Sequence, residues 1–188
     1  MFGNSYGTLY DDDVVGSTGR VGRYLRWSWA RPGVVVIPVR GDEIALAAMY
    51  RYPIAESSLE LPRGGVDADE PVSAAAAREL AEELGLRTAS VEPIGEVFAD
   101  TGLIATPLSV VVAEVATAQD PAWESMESIG VVRWFTRDSL RTQIAEARLR
   151  CGISLAALAL YWSRGCDEPW TARAPGVPPR AGDPRGPA

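Results

Sequence analysis

"ARELAEELGL" (residues 77–86) crowds Glu79, Glu82 and Glu83 into little more than one turn of what its alanine and leucine spacing reads as a helix. Carboxylates four residues apart on a helix repel one another by roughly a few tenths of a kcal/mol. On a wheel of about 100° per residue the three glutamates share one face. Leu80, Leu84, Ala77 and Ala81 fall on a separate face suited to packing on a sheet. An acidic run of this kind is usually a solvated surface, here partly balanced by Arg78 four residues before Glu82.

The neighbouring sequence favours a different reading. "SLELP" (58–62) has the pattern of a short strand, and "RGGVDADEP" (63–71) that of a turn-rich loop. Pro71 suits the first helical position with Glu70 at the cap, and Gly85 suits the left-handed residue that ends the helix. A strand, a glycine loop and a helix in this order set the helix beside a cleft. Hard divalent cations take oxygen ligands, and Mg²⁺ is commonly held by carboxylates, water and substrate phosphates. A cation among the three glutamates would turn their repulsion into binding.

Composition narrows the chemistry. The chain has 188 residues, enough for one domain with a short appendage, and its hydrophobic fraction of 47% is that of a globular protein. It contains no histidine and no lysine. A Ser-His-Asp triad, a histidine metal site, Schiff-base chemistry and a P-loop lysine are thereby excluded. A net charge of −7 argues against duplex nucleic acid as the main partner. No apolar run has the length of a membrane span, and the first residues lack a secretory pattern, so a cytoplasmic protein is expected. Cys151 and Cys166 are too few for a zinc site, and Cys151 is expected to pack in a helix.

The order of elements is strands, helix, strands, helix. Residues 1–20 carry little periodicity and are expected to be partly mobile, whereas residues 21–29 alternate as a strand. Residues 33–39 and 43–52 read as a hairpin, residues 90–99, 108–116 and 129–136 as further strands, and residues 137–164 as a short and a longer helix. The reading is an α/β (α+β) chain with helices over a mixed sheet. It divides into an N-terminal extension (1–30) with a strand, a main domain (31–165) and a Pro/Gly/Arg-rich tail (166–188) expected to be disordered. Trp27 and Trp29 could stack on a base, although strand tryptophans more often pack or form an interface. Trp123, Trp134 and Trp162 are expected to pack.

Gly64, Glu70 and the run Arg78-Glu79-Leu80-Ala81-Glu82-Glu83-Leu84-Gly85-Leu86 together resemble the Nudix box at every defining position. "MYRYP" (49–53) followed by "LELPRGG" (59–65) resembles the "QYR…ELPAG" context of the ADP-ribose and nucleotide-sugar pyrophosphatases. The resemblance implies an α/β/α sandwich and hydrolysis, with Mg²⁺ or Mn²⁺, of a nucleoside diphosphate linked to another moiety. It implies Glu79, Glu82 and Glu83 as metal ligands, with a backbone carbonyl from Arg63, and Glu70 as the brace of Arg78. Arg51, Glu60 and Arg78 are the expected substrate-binding residues, with Arg51 at the phosphates and Glu60 able instead to pair with it. The base would be Glu127 or Glu124 of "WESMES" (123–128), or a box glutamate. The branch also implies a homodimer that exchanges N-terminal segments. Thr101 stands where these enzymes usually carry a proline, and residues 103–106 contain no acid, so another sugar nucleotide competes with ADP-ribose. Two further readings are a nucleotide-sugar sensor without turnover and a nucleoside triphosphate pyrophosphatase. The complete box and the "YR…ELP" context favour the diphosphatase.

Overall fold

The computed structural model describes residues 1–116 and 132–164. Three strands form an N-terminal antiparallel sheet: β1 (Phe2–Asn4), β2 (Gly7–Val15) and β3 (Val21–Trp29). The main sheet contains β4 (Gly33–Arg40), β5 (Glu43–Arg51), β6 (Glu56–Glu60), β7 (Arg63–Gly65), β8 (Thr88–Val97), β9 (Leu108–Val115) and β10 (Val132–Thr136). Its order is β10-β5-β4-β9-β8, with β6 on β5 and β7 on β4. β4 and β9 run parallel and the other pairs antiparallel, so the sheet is mixed.

Side-chain alternation builds the two faces. Val34 and Val36 of β4, with Val111 and Ala113 of β9, point toward Ala76, Leu80 and Leu84 of helix α1 (Val72–Leu84). Val35, Ile37, Val110 and Val112 point the other way, toward Leu140 of α2 (Arg137–Ala145) and Ala157, Leu158 and Tyr161 of α3 (Gly152–Ser163). The result is the expected α/β/α layering. These central strands are covered on both faces, which is why they read as near-continuous valine runs.

Several details correct the sequence reading. Residues 1–20 are not patternless chain: β2 pairs along its whole length with β3. Charge rather than apolar periodicity marks this hairpin, because Asp11 pairs with Arg23, and Asp12 with Arg26 at 2.6 Å. The "RGG" segment is not a turn but the short strand β7, in register with Gly33–Val35 of β4. Pro71 is the cap of α1 rather than its first residue, and Glu70 serves Arg78 instead of the helix end. Gly85 does end α1 in the left-handed region, at φ 65°. Ala81 is exposed, and Ala75 and Ala76 are buried in its place. The buried arc of α1 therefore runs through Glu79 instead of lying on a separate face. Cys151 is the residue just before α3, partly buried and with a free thiol. Trp134 packs against the α1-side core with Arg40 stacked 3.9 Å over its ring, and Trp162 packs on the opposite core. Cys166, Trp123 and the tail lie outside the described residues.

Candidate active site

The strand pairing opens the cleft. β4 and β5 share only the two ladder pairs next to their turn. Beyond them the strands part, β6 continues beside β5, and β7 fills in against β4. Leu61 and Pro62 connect β6 to β7, which brings Arg63 against Glu83 and Gly64 against Glu79 of α1.

Gly64 is needed for close approach, not for its backbone angles. A Cβ there would lie 2.0 Å from the Glu79 carboxyl carbon. Glu79 is 8% exposed. Its Oε1 accepts a 2.7 Å hydrogen bond from Arg78. Glu83 accepts the main-chain N–H of Arg63 at 3.0 Å. Burial, together with the charge of Glu79, pushes the Glu83 carboxyl up to about 7, against the opposing pull of the Arg63 main-chain hydrogen bond and of the Arg51 and Arg63 guanidinium groups. Glu82 stands apart in solvent, in contact with Arg78 at 3.2 Å.

Arg78 holds this corner together. Its Nε and Nη2 donate to the two oxygens of Glu70, each at 3.0 Å, and Nη2 also donates to the Gly65 carbonyl at 2.9 Å. This is the fork geometry that only arginine offers. Glu70 also accepts the Asp67 N–H at 3.0 Å, so the loop before α1 is tied to the helix at two points. The Arg78 hydrogen bonds hold the Glu70 carboxyl below its usual range.

A second ionic cluster lies across β7. Glu60, 3% exposed, accepts from Arg51 Nε at 3.1 Å and Nη2 at 2.7 Å, and Arg63 Nη2 stands 3.1 Å from the same carboxylate. Burial pushes the Glu60 carboxyl up, but the two arginines outweigh it and hold it below its usual range. Arg51 and Arg63 both line a cavity of about 530 Å³ that also meets Gly64 and Gly65. Its other wall is largely apolar, from Trp29, Ile104, Pro107, Leu108 and Ile153. That volume is of the size that holds a small organic ligand. The N-terminal sheet shapes this wall. Trp27 and the segment 103–105 exchange main-chain hydrogen bonds, Thr106 Oγ1 accepts the Trp29 N–H at 3.0 Å, and the two tryptophan rings meet edge to face at 5.4 Å.

The structure thus sets Arg51, Arg63 and Gly64 on the cavity, with Glu60 bonded to the two arginines, Glu79 and Glu83 packed against Gly64 and the Arg63 main chain, Glu70 bonded to Arg78, and Glu82 exposed. Glu124 and Glu127 lie outside the described residues. Arg31 joins the cavity residues without a mark in the sequence. It lines the cavity, lies over Gly65 and is ion-paired with Asp67. Nothing in "ARPG" (30–33) marks it, since an arginine between strands carries no periodic signal.

The NUDIX domain profile matches residues 29–152. The chain belongs to the Nudix family. Members of that family generally use divalent metal ions. Over 74 residues the chain is 39% identical to an ADP-ribose pyrophosphatase of Saccharomyces cerevisiae, covering 39% of this chain and 32% of that protein. Over 113 residues it is 31% identical to the NAD-capped RNA hydrolase NudC of Pseudomonas aeruginosa, covering 58% of this chain and 37% of that one. The chain therefore spans only about a third of the length of these curated relatives. A solved ADP compounds hydrolase shares the fold, with a TM-score of 0.75 at 20% identity over 88% of this chain and 91% of its own.

The Nudix site offers oxygen donors only, and the charge of Glu79 acting on Glu83 is the kind of excess a hard cation relieves. The donor chemistry therefore fits such an ion. Among the described residues, no three acidic or cysteine side chains are already gathered as a cage, because Arg78 engages Glu79 and Glu82.

Proposed function

We propose that this Nudix protein hydrolyses the diphosphate bond of a nucleoside diphosphate linked to another moiety, with ADP-ribose or a related nucleotide sugar as substrate and Mg²⁺ or Mn²⁺ as cofactor. The observation that carries the reading is the pairing of a deeply set glutamate corner with an arginine-bearing cavity across a single short strand. The similarity to the yeast pyrophosphatase supports the substrate class.

Glu79, Glu82 and Glu83, with the Arg63 carbonyl, would hold the cation. When bound, it supplies charge neutralisation at the phosphates and a more acidic water. The chain's own residues do the rest. Arg78, locked by Glu70, sets the height of α1 against β7 and so the position of Glu79. Arg51 presents a guanidinium, fixed by Glu60, to the diphosphate oxygens as charge builds on them. The apolar wall with Trp29 takes the base or sugar and excludes water. Glu127 or Glu83 accepts the proton of the attacking water. Glu82, exposed at the rim, is the donor freest to turn toward a cation.

A substrate panel tests this reading. ADP-ribose, several sugar nucleotides, dinucleoside polyphosphates and nucleoside triphosphates would be incubated with Mg²⁺ and with Mn²⁺. Cleavage of a sugar nucleotide that stops in EDTA is expected. Preference for triphosphates would replace this reading with the triphosphate pyrophosphatase one. We further propose a cytoplasmic homodimer built through the N-terminal sheet, whose Val15, Val21 and Leu25 are exposed. Light scattering should then give twice the 20.1 kDa chain mass, and a monomer at micromolar concentration would contradict it.

A further inference from the structure

The Arg63 side chain has no task in the mechanism above, which uses only its carbonyl. It is nevertheless held in a specific place. Its guanidinium shares the Glu60 carboxylate with Arg51, 3.1 Å from Oε2, and three-quarters of the side chain is out of solvent. Glu60 does not need it for satisfaction, because Arg51 already donates to both carboxylate oxygens. Two guanidinium groups on one carboxylate leave a surplus positive charge, and surplus charge at a part-buried site calls for an anion. Glu83, whose charge acts on both arginines through space, takes the Arg63 main-chain N–H rather than its guanidinium. Both arginines face the cavity, at its end beside Gly64.

We propose that Arg63 is a second diphosphate-binding residue, forming with Arg51 a two-guanidinium clamp, and that the buried Glu60 is the positioning residue that holds both. The clamp grips two adjacent phosphoryl groups, so it favours diphosphates over monophosphates. It rests on the proposed function for the name of the substrate, but not for the binding itself. Glu60 spends its negative charge next to an anion site, which opposes anion binding. Its contribution is orientation: Arg51 donates Nε and Nη2 to it while lining the cavity. Guanidinium forks lose less entropy per hydrogen bond when already fixed.

The test titrates ADP, with AMP as comparator, into the full chain by calorimetry, in Mg²⁺ and separately in EDTA. Arg63→Met keeps the side-chain bulk and removes the charge. Removing one charged hydrogen-bonding partner should weaken ADP binding about ten- to a hundredfold, and AMP binding only a few-fold. Glu60→Gln keeps the volume and should also weaken ADP binding, although it removes a competing negative charge. A purely electrostatic or purely structural role for Glu60 predicts the opposite sign or no change. Thermal midpoints close to wild type would show that both variants fold. Should Glu60→Gln unfold the chain, Glu60→Asp, which keeps the charge but draws it back, serves in its place. Unchanged ADP affinity in Arg63→Met, equal losses for ADP and AMP, or no ADP binding by wild type would overturn the clamp. Tighter ADP binding in Glu60→Gln would overturn the positioning role. Failure to cleave ADP-ribose with the ADP losses intact would sink the proposed activity and leave the clamp standing.

Discussion

Glu83→Gln is expected to abolish hydrolysis by about 10³-fold while making the metal-free protein more stable at pH 8. The two effects have one cause. Glu83 is buried beside Glu79, and its carboxyl is pushed up to about 7 from an ordinary value of 4.5. A carboxyl raised in the folded state binds more protons folded than unfolded, so its contribution is intact below about pH 4.5 and is lost as pH rises toward 7. At pH 8 the ionised group costs the metal-free fold up to about 3 kcal/mol. Glutamine keeps the shape, and its amide oxygen can still accept the Arg63 N–H, but it carries no charge to bury. Chemical denaturation from pH 4.5 to 8 in EDTA should show wild type losing stability relative to the variant across that window. Adding Mg²⁺ should restore wild type and leave the variant unmoved. A variant that is less stable than wild type at pH 8 in EDTA would contradict this account of Glu83.

Gly64→Ala is expected to cost activity on the order of 10²- to 10³-fold with a much smaller loss of stability. The glycine is not in the left-handed region, so alanine meets no backbone strain. The added methyl would instead occupy the space of the Glu79 carboxylate, with contacts of 2.0 to 2.1 Å to its three terminal atoms. That carboxylate ends a flexible side chain, so it swings away rather than unfolding the strand. Moving it breaks its hydrogen bond to Arg78 and takes one oxygen donor out of the cleft. Steady-state kinetics across a Mg²⁺ titration should show the metal requirement rising steeply, with a thermal midpoint within a few degrees of wild type. Full activity at ordinary Mg²⁺ would show that Glu79 need not sit against β7.

The layered fold was legible because its signals are local. The valine runs of β4 and β9 and the alanine-leucine stripe of α1 each fix an element and its burial. The box residues were legible for a different reason: each has a distinct chemical duty, so their spacing is a pattern even without a fold. Depth was not legible. A wheel places Glu79, Glu82 and Glu83 on one face, but only β7, with Gly64 against Glu79 and the Arg63 N–H on Glu83, makes two of them inward and one outward. Of the N-terminal sheet β3 was legible from its alternation, but β1 and β2 were not, because Asp11–Asp13 and Arg23–Arg26 pair β2 with β3 by charge, and apolar periodicity is blind to that. Arg31 and the side chain of Arg63 matter through partners distant in sequence, Asp67 for the first and the Glu60–Arg51 pair for the second, and no spacing announces them.

The measurement to make first is ³¹P NMR of ADP-ribose and sugar nucleotides with the full chain and Mg²⁺. Hydrolysis adds water across the P–O–P bridge, so the diphosphate resonances of one substrate should vanish and two phosphomonoester resonances should appear. For ADP-ribose these would be AMP and ribose 5-phosphate. EDTA and Glu83→Gln should each prevent the change. Diphosphate resonances that broaden or shift with added protein but keep their intensity would contradict the account, leaving a Nudix fold that binds nucleotides without cleaving them.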